Sequence, residues 1–245
     1  MNEVIDTLTE HRSIRKYKKD PLTEQQIMTI IKAAQSAPTW GNGQQVSIIG
    51  VQDPDKKRKL AELTGGQSWI AEAPLFLLFT IDYYRARQVL QDKGHDLGSA
   101  ENVELLLIGS TDVGLNMGFA IAAAESMGLG IVPIGAVRRD SQTVIDMFEL
   151  PEHVFPVSGL VIGYPDDTPD LKPRLPLESF YHTEKYNADQ LPYSQQYDKE
   201  FAEYVAKRSQ GAAQKNWSDT LVAYYSGAGN LRTADVLRKQ GFKYK

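Results

Sequence analysis

Cysteine is absent from the 245-residue chain. That excludes disulfides, thiolate nucleophiles, cysteine-type zinc sites and cysteine-bound iron–sulfur clusters. Histidine is scarce: the four present, His11, His95, His153 and His182, show no HExxH or similar ligand spacing, so no metal site is expected. Redox chemistry in such a chain must travel on an organic cofactor. The longest strongly apolar run, residues 75–79, is far short of the ~20 residues of a membrane span. Residues 1–11 are acidic and lack the apolar core of a secretory signal. A cytoplasmic protein with no membrane partner is therefore expected. Surplus charge is missing as well: a formal net charge of −4 argues against a general nucleic-acid partner. No Walker sequence and no G-x-S-x-G elbow occur. In the string beginning Gly41-Asn42-Gly43, Val46 stands where a dinucleotide fingerprint needs its third glycine, and a strand follows instead of a helix.

What remains is ordinary globular material, 42% hydrophobic and 24% charged. A chain of this size buries roughly 70–75% of its unfolded surface, enough for a core without staples. A short helix is expected before His11. A better one follows Thr23, where Gln26 completes a capping-box spacing and Ile27, Ile30, Ile31 and Ala34 mark one face. Residues 46–51 and 75–81 read as strands, with a helix over 55–63. The basic run Lys56-Lys57-Arg58-Lys59 reads as a solvated helix face, since acidic neighbours interleave with it. Residues 101–129 form a helical pattern apolar on nearly every side, which calls for burial in a core or against another chain. Gly128 and Gly130 suit its end. A strand over 131–134, a helix over 142–150 and a strand over 157–163 follow. Residues 164–196 are polar, rich in Pro and Tyr and weakly periodic; helical patterns return near 201–207, 221–225 and 234–240. Four strands among more numerous helices give a mixed, helix-dominant class.

Two basic clusters stand out. His11-Arg12-Ser13-Ile14-Arg15 places three potential cations and a hydroxyl in five residues; Lys172-Pro173-Arg174 follows the loop that begins at Gly163. A phosphate monoester carries nearly two charges on three acceptor oxygens and is best held by donors converging from separate segments. Either cluster alone reads first as surface charge.

Together with Thr64-Gly65-Gly66-Gln67, Ala124-Glu125-Ser126-Met127-Gly128-Leu129-Gly130, Pro133-Ile134-Gly135, residues 169–176 and Trp217-Ser218-Asp219, in this order, these strings make the whole chain resemble the nitroreductase superfamily. The likeness is to its branch of NADPH-dependent nitroreductases and FMN reductases. It implies an α+β fold with a mixed, mainly antiparallel sheet flanked by helices, in an intertwined homodimer with FMN at the subunit interface. It implies one domain over 1–245 whose C-terminal extension, from about 164 to 245, embraces the partner. It implies cofactor contacts from His11, Arg12, Ser13 and Arg15, the last near flavin N1 and the C2 carbonyl, where a cation stabilises the reduced ring. Gln67 matches a side chain on the pyrimidine edge, and Pro133, Ile134, Gly135 and Ala136 the turn whose backbone N–H faces N5. Lys172 and Arg174 match the phosphate pair, and Thr39 a residue reaching over from the other subunit.

The activity implied is electron transfer from NADPH or NADH to nitroaromatics, quinones or free flavin by alternating half-reactions, with small-molecule substrates and no catalytic side chain. The rivals are a flavin-dependent dehydrogenase or dehalogenase on the same scaffold, and a flavin-binding protein without turnover. Two departures stand out. Trp40 is bulky where relatives often carry small hydroxyl residues. Of two arginines that hold the 2′-phosphate in NADPH-preferring relatives, Arg208 matches the first, whereas the second falls at Ala213. Lys207 and Lys215 are the substitutes at hand, as point charges without the planar fork, so weakened NADPH preference is expected.

Overall fold

The computed structural model describes residues 2–213, 215–227 and 232–243. Two compact units divide the chain: Met1–Pro169 with Arg232–Lys245, and Asp170–Leu231.

The first unit runs α1 (Glu3–Thr9), α2 (Glu24–Gln35), β1 (Val46–Val51), α3 (Pro54–Leu63), α4 (Ser68–Glu72), β2 (Leu75–Asp82), α5 (Tyr84–Asp92), α6 (Glu104–Ser126), β3 (Gly130–Ile134), α7 (Ser141–Met147) and β4 (Val154–Gly163). The strands form one sheet in the order β1-β2-β4-β3, and every pairing among them is antiparallel. A parallel element enters as an isolated bridge between Ser13 and Ile131. All eight residues of β2 are buried, so both faces of the sheet are covered. Alternation along the strand sorts the core. Leu75, Leu77, Phe79 and Ile81 pack with Ile30, Ala34, Val113 and Ala120 of α2 and α6. Phe76 and Leu78 pack with Leu60, Ala61, Ile70 and Val144 of α3, α4 and α7. Pro133 lies on edge strand β3, and Pro156, on inner strand β4, sits beside the register shift between Phe79 and Thr80, the two settings in which a strand tolerates proline.

Local chemistry explains the helix starts. Thr23 Oγ1 accepts the Gln26 N–H at 3.2 Å and Gln26 Oε1 accepts the Thr23 N–H at 2.9 Å, the expected reciprocal cap. Asp53 caps α3 through the Lys56 N–H at 2.8 Å, one residue before Pro54. Gly128 closes α6 at φ +73°. Gly130 has another task. It opens β3, and a Cβ there would stand 2.6 Å from Ile14 Cγ1.

Two expectations are corrected. Lys57 is not part of a solvated face: it is buried, and its ammonium donates to the Ala73 carbonyl beyond the end of α4. Burial lowers its pKa, with Asp53 opposing. The run 75–79 is not the longest apolar stretch of consequence, because α6 is long and apolar enough to cross a membrane by length and composition, with mean hydropathy 1.5 over 18 residues. Within this chain the helix is covered along one stripe. Leu105, Gly109, Asp112, Val113, Asn116, Ala120 and Ala124 form its inward stripe. Leu107, Leu115 and Phe119 remain exposed. Leu115 and Phe119 line an apolar groove of about 690 Å³ with Val4 and Leu8 of α1.

The second unit contains α8 (Leu177–Phe180), α9 (Leu191–Arg208) and α10 (Trp217–Tyr225). The irregular stretch is therefore shorter than residues 164–196. Tyr197 is its buried centre: the hydroxyl donates to the Pro173 carbonyl at 2.8 Å, and the ring meets Trp217 edge-on at 5.4 Å. Burial raises the Tyr197 pKa, Arg174 opposing, which keeps that hydroxyl a donor. Asp198 ties α9 to α10 by accepting the Ser218 N–H at 2.8 Å and its hydroxyl at 2.6 Å. Phe180, Tyr181, Tyr186, Tyr224 and Tyr225 are exposed aromatics, an unusual number for so small a unit.

The chain returns to the first unit through α11 (Arg232–Lys239). Gln240 then donates to the Leu150 and Pro151 carbonyls at 3.1 and 2.7 Å and accepts the His153 N–H on its backbone at 2.8 Å.

Candidate functional site

In the first unit, the segment 11–15 is pinned to the start of β3. The Ile14 N–H donates to the Ile131 carbonyl at 2.9 Å beside the Ser13–Ile131 bridge. The approach is close because Gly130 has no side chain to hold Ile14 away. Ser13 and Arg15 are thereby carried alongside the strand that leads through Pro133 and Ile134 into the tight turn at Gly135 and Ala136. Pro133 and Gly135 are exposed there.

Arg15 is half-buried, with its guanidinium carbon 5.7 Å from the Trp69 ring centroid and Nη1 donating to the Ser13 carbonyl at 3.3 Å. Trp69 belongs to α4, whose preceding residue is Gln67. Gln67 Nε2 donates to the Thr64 carbonyl at 2.9 Å, and no bond within the protein occupies its Oε1 among the described residues. The Gly65-Gly66 turn before it needs positive φ at both positions, +94° and +79°. Segments 13–15, 67–69 and 131–136 are thus linked by contacts within one unit.

His11 and Arg12 complete this side. His11 Nδ1 meets Glu125 Oε1 at 2.6 Å. Arg12 Nη1 and Nη2 donate to the Glu10 carbonyl and carboxylate, each at 3.0 Å. Three polar atoms here are buried without a hydrogen-bond partner among the described residues: Arg12 Nε, Trp69 Nε1 and Glu125 Oε2. An unpaired buried donor costs about 1–3 kcal/mol, so these two N–H groups fit a ligand that brings acceptor oxygens or ring nitrogens. FMN offers both. The residues present fit it.

Thr39 lies apart from this cluster, before a 3-10 turn (Trp40–Asn42), and its hydroxyl accepts the Gln44 N–H at 3.2 Å. Trp40 is 65% exposed. Lys172 and Arg174 belong to the second unit, where Arg174 Nη1 donates to the Lys172 carbonyl at 2.9 Å and both side chains are exposed. Arg208 is exposed in the last turn of α9, and its neighbour Lys207 pairs with Asp170 at 2.9 Å.

Sequence reasoning did not assign three residues that this geometry brings forward. Trp69, two positions after Gln67, lies against Arg15. Glu125 stood in a matched string without a role and is the partner of His11. Asp112 is the one charged residue between Glu104 and Glu125, and that isolation inside an apolar helix was the available signal.

Comparison with known proteins places this arrangement in a class. The nitroreductase family model matches residues 8–164, and the model of the family's C-terminal domain matches 172–245. The chain belongs to the nitroreductase family. It is 49% identical over 247 residues to an FMN reductase (NAD(P)H) of Bacillus subtilis (strain 168), with 99% of each chain covered. It is 37% identical over 242 residues to an oxygen-insensitive NADPH nitroreductase of Salmonella typhimurium, again with 99% of each covered. Among solved structures, NfrA2 of B. megaterium superposes with a TM-score of 0.98 at 48% identity over 100% of both chains. The NADPH:FMN oxidoreductase of Vibrio harveyi complexed with NAD+ gives 0.90 at 34% identity, covering 99% of each.

Proposed function

We propose that this chain is an FMN-dependent oxidoreductase that passes electrons from NADPH or NADH to nitroaromatics, quinones or free flavin in alternating half-reactions. When bound, FMN supplies the redox chemistry. The protein's own residues bind, orient and polarise. The observation that carries the reading is that Arg12 Nε and Trp69 Nε1 are buried donors without a partner among the described residues, the Trp69 ring lying against the Arg15 guanidinium. They favour a ligand that brings acceptor atoms to this segment. The names of the near-full-length relatives support the same reading.

Arg15 holds positive charge at the pyrimidine edge, and Gln67 meets that edge with its amide. His11, Arg12 and Ser13 contact the cofactor from the segment bridged to β3. The turn of Pro133, Ile134, Gly135 and Ala136 presents backbone N–H without a bulky side chain in the way. Lys172 and Arg174 hold the phosphate, and Arg208 is the candidate for a nicotinamide phosphate. No side-chain nucleophile is required, so positioning and electrostatics carry the rate.

The working form is a homodimer. The exposed apolar groove of α1 and α6 and the exposed aromatics of the second unit are surfaces that a second copy covers. Thr39 serves the site of the partner subunit, and the extension from about 164 to 245 embraces that partner. The protein works in the cytoplasm on small molecules, with no nucleic-acid or membrane partner.

The test is the visible spectrum of the purified protein, followed during anaerobic addition of each reduced nicotinamide. A yellow protein bleached by NADPH or NADH and recoloured by a nitroaromatic is expected. Protein that stays colourless after incubation with FMN overturns the proposal.

A further inference from the structure

A carboxylate lies buried in the first unit where hydrophobic economy would place an alanine or leucine. Asp112 is 2% exposed on the inward stripe of α6. No lysine, arginine or histidine among the described residues forms an ion pair with it. Its oxygens are occupied instead by one loop. Gln45 Nε2 donates to Oδ2 at 2.6 Å, and the Trp40 backbone N–H reaches Oδ2 at 3.2 Å and Oδ1 at 3.3 Å. Desolvating a carboxylate without a counter-ion is costly, so the contacts it makes are what justify its presence.

That loop is bonded within itself, the Gly43 N–H donating to the Trp40 carbonyl at 2.8 Å and the Gln44 N–H to Thr39 Oγ1 at 3.2 Å, but its backbone is unusual. Gly41, Asn42 and Gln44 all have positive φ, at +55°, +56° and +50°; Gly41 and Asn42 tolerate it, and Gln44 disfavours it. From the other side the Arg85 guanidinium donates to the carbonyls of Gln44 and Val46 at 2.6 and 2.9 Å, while Asp82 holds Arg85 at 2.9 Å. An anion gathers the loop's N–H groups and a cation gathers its carbonyls. Between these clamps the loop projects Thr39 and the exposed indole of Trp40.

We propose that Asp112, acting through Gln45 and the Trp40 amide, is a positioning residue that fixes the 39–44 loop and so sets the wall of the acceptor pocket that Thr39 and Trp40 form. This deepens the flavin-reductase reading and rests on it for the identity of the pocket. Asp112 is itself buried beneath the loop, so it acts through the groups it holds. Its effect reaches the site only through this loop, on acceptor choice through Trp40 and on the cofactor through Thr39.

The experiment compares full-length wild type with Asp112→Ala, Asp112→Asn and the double variant Asp112→Asn/Gln45→Glu. In the double variant the short hydrogen bond is kept with donor and acceptor exchanged, and net charge is unchanged. Hydrogen exchange across residues 39–45 reads the anchor without any cofactor. The ratio of kcat/KM for a bulky nitroaromatic to that for a small quinone reads the pocket. Expected results are lost protection at 39–45 and, for enzyme reconstituted with saturating FMN, a ratio shifted by roughly ten-fold in both single variants, with both readouts restored in the double variant. If Asp112→Ala does not fold, Asp112→Asn carries the same readouts. Unchanged exchange at 39–45, or a ratio unmoved while the loop is freed, overturns the proposal. A colourless wild type would instead sink the flavin reading, and the exchange arm would still decide whether Asp112 anchors the loop.

Discussion

The Arg15 guanidinium sits 5.7 Å from the centroid of the Trp69 ring, and the indole N–H of that same ring is buried with no acceptor among the described residues. The ring's face therefore steadies the cation while its edge offers a donor. Arg15→Gln removes charge where the proposed cofactor gains it, and the reduction rate by NADPH should fall by roughly 10²-fold. Trp69→Phe keeps the face and loses the donor, whereas Trp69→Leu loses both. A cation–π contact of about 0.5–2 kcal/mol means the leucine variant should be several-fold slower than the phenylalanine one. Anaerobic single-turnover reduction measures all three. Equal rates for Trp69→Phe and Trp69→Leu would show that the ring does not position Arg15.

Lys172 and Arg174 are exposed cations on a short loop of the second unit, and Arg174 is braced by the Lys172 carbonyl at 2.9 Å. Bracing a guanidinium in place lowers the entropy lost when it engages a phosphate in fork geometry. Arg174→Ala should weaken FMN retention by about 10- to 100-fold, and Lys172→Ala by less, because a point charge is more easily replaced by solvent cations. Fluorescence titration of deflavinated protein with FMN, repeated with riboflavin, checks this. Riboflavin affinity should be nearly unaffected, since it lacks the phosphate.

Nicotinamide choice follows from the second unit as well. Arg208 ends α9, position 213 is alanine, and Lys207 is already paired with Asp170 at 2.9 Å. One unsupported guanidinium gives little discrimination for a 2′-phosphate. The kcat/KM values for NADPH and NADH should differ by no more than about ten-fold, and Arg208→Ala should narrow the gap only slightly. A large NADPH advantage that disappears in Arg208→Ala would refute the argument.

Parts of this molecule are legible in its residues and parts are not, for physical reasons. The Thr23–Gln26 cap and the apolar run of β2 announce themselves because they depend on neighbours in sequence. Helix α4 has only five residues, too few to show a period, so the element that carries Trp69 gives no signal. Strand β4 begins at Val154, earlier than its pattern implies, because Pro156 is housed at a bulge that only the partner strand β2 creates. Lys57 looks like one more charge in a basic run until the Ala73 carbonyl takes its ammonium. The candidate site divides in the same way. Residues 11–15 and 133–136 are contiguous strings, whereas His11 and Glu125 meet across 114 positions and Asp112 reaches Gln45 across 67.

Close packing makes its own prediction at Gly109, on the inward stripe of α6. A Cβ there would lie 2.7 Å from Ile81 Cγ2 and 2.9 Å from Ile81 Cγ1. Alanine gains about 1 kcal/mol of helix propensity, but overpacking against a fully buried strand costs about 1–3 kcal/mol. Gly109→Ala should be destabilised by roughly 1 kcal/mol in urea unfolding, and Ile81→Ala should suppress that penalty in the double variant. Additive losses would show that the helix and strand do not press on each other here.

His153 links stability to pH through the return of the chain's end. It is buried at φ +66°, its backbone carbonyl accepts the Tyr83 N–H at 3.0 Å, and its ring meets Phe242 edge-on at 5.8 Å. Nδ1 has no partner among the described residues. Burial lowers the imidazole pKa; Glu152 and the Gly241 backbone oppose this, while Arg87 and Lys243 reinforce it. The sign follows from proton counting. Between the depressed folded value and the ordinary value of about 6.5, the unfolded chain binds the proton and the folded chain does not. Stability from this group is therefore full above about pH 6.5 and is lost as pH falls toward the folded value. Asparagine tolerates positive φ, so His153→Asn keeps the backbone while removing both the ring contact and the titration. At pH 8 the variant should melt below wild type because Phe242 loses its neighbour. As pH falls toward 5 the gap should close, since only wild type retains the acid-labile imidazole. Thermal unfolding of both proteins across pH 5–8 reads this directly, and a gap constant over that range would show that His153 does not couple protonation to folding.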